Sequence, residues 1–172
     1  MSVRTTVALA GVIAALLPTG AAVAAHGTGS SVPRCGNADL KASYRHTPGG
    51  DGMNQTWGWI VLRNRSGHRC ATGGFGGISY VGHGNGTQIG AAATRFGGHV
   101  HLYVLKPGQK LRSRIDETSA GVYDKSECHP RHVDGFRVYV PNAHVSQYVV
   151  HPTTGCARTK VHLLTHAAYT RP

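Results

Sequence analysis

The chain has 172 residues, with 18 Lys and Arg against 7 Asp and Glu, a formal charge of +11 and a 40% hydrophobic share. That balance favours negatively charged partners at long range. The basic residues are spread singly with no dense run, which argues against a dedicated nucleic-acid arm.

The first segment reads as an export signal. Met1 to Thr6 holds one cation, Arg4; Val7 to Leu17 is almost wholly apolar; Ala21 to Ala25 ends the stretch in small residues. A cationic start, a short apolar run and a small-residue end are the three parts of a secretory signal, here residues 1–25. The run falls short of the roughly 20 residues a membrane-spanning helix needs. No second run of that kind follows, so the mature form is expected to lack a transmembrane segment. Nor does a Cys stand directly after the small residues, which argues against a lipid anchor. Removal of residues 1–25 takes Arg4 with it and leaves a secreted, extracellular protein of charge +10. Residues 26–34 are Gly/Ser-rich and read as a flexible lead. Residues 35–168 are expected to form one domain large enough for its own core.

Four cysteines lie in the mature part: Cys35, Cys70, Cys128 and Cys156. An even number in an exported chain reads as two disulfides. Three pairings are open. Cys35–Cys70 with Cys128–Cys156 is favoured, because each pair brackets one compact stretch with a turn-rich middle. No Cys-x-x-Cys pair supports a zinc site instead.

Beyond Cys35 the local signals are those of strands. Gln55 to Asn64 is rich in aromatic and β-branched residues. His99 to Leu105 alternates and stops at Lys106-Pro107-Gly108. Gly135 to Val140 stops at Pro141. Val145 to Val150 and Lys160 to Thr165 look similar. Weaker segments are 38–45, 77–81, 88–92, 110–115 and 121–123. Turn chemistry divides them, notably at Pro48-Gly49-Gly50-Asp51-Gly52, Ser66-Gly67, Gly82 to Gly86 and Gly97-Gly98. No helical stripe of useful length stands outside the signal. Many short strands with Gly/Pro turns imply an all-β fold, an antiparallel β-sandwich.

The order of these pieces carries a resemblance. Cys35 with Asp39-Leu40 is followed by Asn64-Arg65-Ser66-Gly67-His68-Arg69-Cys70. Gly74 to Ser79 and Leu105-Lys106-Pro107-Gly108 come next, then Cys128-His129-Pro130, Phe136 to Pro141 and Cys156. This arrangement resembles the actinobacterial secreted family called domain of unknown function 4232, over about Arg34 to His166. The Asn-x-Ser-Gly-x-x-Cys stretch is its most specific piece. Gly74-Phe75-Gly76-Gly77 departs from the family's usual Gly-x-Pro. The resemblance implies an immunoglobulin-like sandwich stapled by two disulfides, export, and no catalytic residues.

Twelve histidines are the compositional oddity. His99 and His101 are two apart on an expected strand, so both imidazoles point to one face. With a third ligand from elsewhere they would form an extracellular zinc or copper site; the competing account is exposed surface histidines. His129 and His132 are read as lying in a loop beside Cys128. His162 and His166, four apart on a strand, stand about 13 Å apart, too far for joint ligation. Hydrolysis finds little support. Only Glu117 and Glu127 join five Asp, adjacent Asp116 and Glu117 point to opposite faces, and neither Gly-x-Ser-x-Gly nor HExxH is present. The chain is therefore expected to be non-enzymatic and to need no cofactor, with a metal-binding or hydrolytic protein using the histidines as the alternative. Trp57 and Trp59 share one strand face and suit either a sugar-binding platform or a core position near a disulfide. Asn54, Asn64 and Asn85 begin Asn-x-Ser/Thr triplets, read as products of turn-rich sequence because the resemblance implies a bacterial source. The expected partner is an anionic cell-wall polymer or a cell-surface protein.

Overall fold

A computed structural model describes residues 31–172. The export signal and the first part of the lead lie outside the described residues. Eleven strands follow the β-branched and aromatic runs: β1 (Leu40–Gly52), β2 (Gln55–Asn64), β3 (Cys70–Gly73), β4 (Gly77–Gly82), β5 (Thr87–Ala92), β6 (Thr94–Arg95), β7 (Leu102–Leu105), β8 (Lys110–Thr118), β9 (Pro130–Tyr139), β10 (Ser146–Cys156) and β11 (Leu164–His166). One short helix, α1 (Lys125–Cys128), precedes β9. Three sheets result, in the orders β1-β2-β8-β11-β6, β10-β9-β4-β5 and β3-β7. Every pairing is antiparallel except β11 with β6.

Alternation builds the interior. Along β2, Ile60 and Leu62 are buried; their counterparts are Leu111 and Ile115 on β8, and Val133, Phe136 and Val138 on β9. These residues belong to one hydrophobic cluster shared by the two large sheets. Cys35 is bonded to Cys70 and Cys128 to Cys156, closing separations of 35 and 28 residues. Loop closure in the unfolded chain makes each bond worth about 3–4 kcal/mol.

The structure corrects several strand expectations. The turn expected at residues 48–52 lies inside β1, absorbed by a register shift between His46 and Asp51. Strand β10 runs through Pro152, because β10 is an edge strand and its register shifts between Val150 and Thr153, where a missing N–H costs no ladder bond. His99 to His101 are not strand: Gly97 and Gly98 take positive φ, and pairing begins only at Leu102. In 160–165 only Leu164 and Thr165 pair, the earlier part being a turn closed by Val161 N–H to the Arg158 carbonyl at 3.1 Å. Residues 120–122 form a 3-10 turn whose Gly121 N–H is capped by Ser119 Oγ. Strands β3 and β6 carried no sequence signal.

The two motifs behind the family resemblance meet in one knot. Asn64, fully buried, donates from Nδ2 to the carbonyls of His68 (2.9 Å) and Leu105 (3.1 Å). Its Oδ1 accepts from Ser66 N–H (2.9 Å) and Ser66 Oγ (2.7 Å). The Asn64 carbonyl accepts from Gly108 N–H at 2.8 Å. Gly108 has φ +81°, a conformation that side chains other than glycine's rarely adopt. Both motifs are thus scaffold: they fasten the β2–β3 loop to the β7–β8 turn.

The free edges of the large sheets, β1 and β10, are stitched by side chains. Gln147 accepts from Ala42 N–H and donates to the carbonyls of Asn37 and Leu40. Further along, His151 of β10 and Tyr44 of β1 converge on Glu117 of β8.

Candidate functional site

The outward face of β1-β2-β8 concentrates the charge of the protein. The residues that alternate with the core are Lys41, Ser43 and Arg45 on β1, Trp57, Trp59, Val61 and Arg63 on β2, and Lys110, Arg112, Arg114 and Asp116 on β8. Register turns these into cross-strand rows: Lys41–Arg63–Lys110, Ser43–Val61–Arg112 and Arg45–Trp59–Arg114. Directly opposed residues stand about 5 Å apart at Cβ, and like charges so placed destabilise a sheet. A row of three cations in register is therefore a cost to folding. Of the six cations, Arg114 alone is ion-paired among the described residues, with Asp116 at 2.7 Å.

The tryptophans organise these cations. Arg112 lies over the Trp59 ring at 4.1 Å, and Arg114 lies over Trp57 at 5.3 Å. A guanidinium stacked on an indole loses its freedom to wander but keeps its N–H edge free for an anion. Between Arg45, Trp59, Lys110 and Arg112 the surface dips into a hollow of about 190 Å³. Neither Trp57 nor Trp59 enters the core. Both lie on the outer face, each with a guanidinium over one side, so they are no bare sugar platform.

The other residues singled out from sequence are dispersed. His99 and His101 are exposed and lie before β7; the His101 ring packs tilted against Tyr103, centroids 4.6 Å apart, and lines a shallow cleft with Arg34 and Arg95. Among the described residues no group of three His, Cys, Asp or Glu gathers there or elsewhere. Ser113 and His166 do come together, Oγ to Nδ1 at 3.4 Å, but both are at most 1% exposed. The Ser113 hydroxyl donates instead to the Ala167 carbonyl at 2.6 Å, so it is a buried tie and no nucleophile. Burial holds the His166 imidazole down at about 4; the Ala167 backbone opposes the shift and the charge of Arg95 adds to it.

Two features escaped the sequence reading. The cation grid had a signal in Lys110-x-Arg112-x-Arg114, whose period of two puts three charges on one strand face. The meeting of Tyr44, Tyr80, Glu117 and His151 had none, since these residues come from four strands.

A model of the family described as Domain of unknown function (DUF4232) matches residues 35–168. The chain belongs to that family. No curated protein and no solved structure gave a match.

Proposed function

We propose that the chain is an exported, non-catalytic binding domain that holds an anionic polymer of the cell envelope against the outer face of β1-β2-β8. The scaffold is read as an immunoglobulin-like sandwich, a reading supported by two antiparallel sheets sharing one core. Export is supported by the composition of residues 1–25 and by two disulfides; among the described residues no helix is long and apolar enough to cross a membrane.

The observation that carries the reading is the in-register row Lys41–Arg63–Lys110, with Arg112 and Arg114 held on indoles beside it. The row opposes folding through like-charge repulsion, and a polyanion laid across it reverses that sign. Rows repeat about every 7 Å along a strand, which suits a flexible chain with a charge on each repeat.

Binding of purified poly(glycerol phosphate) and of neutral dextran tests the proposal, followed by Trp fluorescence over a salt series. The phosphate polymer is expected to bind with an affinity that falls steeply with salt through counterion release. The triple variant Lys41→Glu, Arg63→Glu, Lys110→Glu should weaken it at least about tenfold and flatten the salt slope. Equal binding of dextran, or full retention in the triple variant, refutes the proposal.

A further inference from the structure

Tyr148 of β10 is an aromatic side chain fixed in place on the surface. It lies on the outer face of β10-β9-β4-β5, in a cross-strand row with Arg137 of β9 and Ser79 of β4. Its hydroxyl donates to the Asp134 carbonyl at 2.8 Å, which ties the ring to β9. The residue it lies against is glycine: a Cβ on Gly135 would fall 2.9 Å from Tyr148 Cε2. An aromatic laid against a sheet glycine on the neighbouring strand is a packing device. Packing accounts only for the covered side of the ring, because Tyr148 remains 53% exposed.

The ring lines a hollow of about 630 Å³ with Pro152, Asn85, His132 and Asp134, a size within the range of small-ligand sites. The β4–β5 turn supplies one wall. Gly84 and Gly86 take positive φ there, and a Cβ on either would meet nothing within 4 Å, so that wall is low. The polar groups are oriented without being exhausted. Asp134 Oδ2 accepts from Gly84 N–H at 2.8 Å, and His132 Nε2 lies 3.4 Å from Oδ1. A carboxylate has about four acceptor positions, so about two stay open. Asn85 Oδ1 accepts from Thr87 N–H at 3.0 Å, while its Nδ2 donates to nothing among the described residues. A second hollow of about 280 Å³, reaching Tyr139 and Arg137, shares Asn85, Gly86 and Tyr148 with the first, so the two join as one groove.

From this arrangement we infer that the groove binds a neutral β-1,4-linked glycan, with Tyr148 stacked on the C–H face of one pyranose ring. The axial C–H bonds of a gluco-configured pyranose make an apolar, weakly positive face, which matches the negative face of an aromatic ring. Its equatorial hydroxyls project from the ring edge, where the Asp134 carboxylate accepts and the Asn85 amide donates. Charge selects a neutral ligand. Asp134 is the one acid and Arg137 the one Lys or Arg lining the groove, and they cancel, on a chain of formal charge +11. The guanidinium of Arg137 is moreover engaged, donating to Gln88 Oε1 and lying over the Tyr139 ring at 5.8 Å. A β-1,4 link keeps successive rings in a flat ribbon, which suits two joined hollows on a sheet face. Trp57 and Trp59 carry guanidinium groups, whereas no cation lies over Tyr148 among the described residues. The groove uses no residue of the basic face and does not depend on it.

Titration with chitohexaose and with cellohexaose in high salt, where contacts to the basic face are screened, tests the inference by calorimetry and by proton NMR of the sugar. At least one of the two is expected to bind, with its axial C–H protons shifted upfield by the Tyr148 ring current. Tyr148→Ala should weaken binding about tenfold or more and erase the shift. Tyr148→Phe keeps the ring, loses only its tie, and should keep the shift. The triple variant Lys41→Glu, Arg63→Glu, Lys110→Glu should bind the glycan as the parent does, which separates this groove from the basic face. Circular dichroism checks that each variant is folded. Dextran is the control, because its α-1,6 links turn successive rings out of one ribbon. Binding of neither oligosaccharide, equal binding of dextran, or undiminished binding in folded Tyr148→Ala overturns the inference. So does a dimer in sedimentation that Tyr148→Ala dissociates, since the face would then belong to a second copy of the chain.

Discussion

Replacement of Asn64 isolates the knot that joins the two family motifs. Its side chain makes four hydrogen bonds, at 2.9, 3.1, 2.9 and 2.7 Å, from a fully buried position. A net value of about 1 kcal/mol each gives about 4 kcal/mol for Asn64→Ala. The His68 carbonyl and Ser66 sit near the surface and recover water, whereas the Leu105 carbonyl bond is buried and does not. The expected loss is therefore about 3 kcal/mol, from a total of about 5–15 kcal/mol for a domain. At this size that lowers Tm by about 10 °C. Urea and thermal unfolding monitored by circular dichroism, disulfides intact, measure it. Asn64→Leu separates bonding from space filling: it keeps volume, restores no bond, and is expected to cost at least as much. Asn64→Asp keeps an acceptor for Ser66 but turns a second oxygen toward two carbonyls, and should be no better. Wild-type stability in Asn64→Leu, or a loss under about 1 kcal/mol in Asn64→Ala, would refute the account.

Two more predictions concern the interior. The folded state holds His166 at about 4 against an ordinary 6.5, so the unfolded chain binds the extra proton between those values. Stability from this residue is full above pH 6.5 and is lost as pH falls toward 4, by up to about 3 kcal/mol; His166→Phe should remove that part of the slope in pH-dependent unfolding, and an unchanged slope would count against it. Gly58→Ala should cost about 1–3 kcal/mol by driving its methyl into the Tyr44 ring. In a Tyr44→Ala background that cost should vanish, so equal costs in the two backgrounds would show that Tyr44 is not what the glycine accommodates.

The fold was legible wherever the signal was local. Gln55 to Asn64 is strand β2 to the residue, because its aromatic and β-branched content and its alternation act within one segment. Bracketing of turn-rich stretches led to the same cysteine pairs that the structure joins. Local signals failed where tertiary context overrode them. The sequence marks a strand only over Val145 to Val150, yet β10 runs on through Pro152 because an edge strand can leave that N–H unpaired. His99 alternates like a strand residue, yet the Gly97-Gly98 bend keeps it out of the sheet. The candidate chemistry was less legible still. Trp57 and Trp59 were visible as a pair on one face, but which face depended on the β1 and β8 neighbours. The residues around Glu117 are separated by 34 to 73 positions, so only closure of the two sheets brings them together.

The division of labour inside the chain follows from that contrast. The residues by which the family is recognisable, Asn64, Ser66, Cys70, Leu105 and Gly108, are engaged with one another or with the backbone, and leave no donor or charge for a ligand. The residues that oppose folding lie elsewhere. The row Lys41–Arg63–Lys110 carries unrelieved repulsion on the surface, and Glu117 places a polar carboxyl group in the core. Each is tolerable because the knot and the two disulfides stabilise the scaffold independently of it. Neutralising the row, as in Lys41→Gln with Lys110→Gln, should leave the fold as stable or slightly more stable while reducing polymer binding. Residues needed for packing do not behave in that way, because their removal lowers stability first.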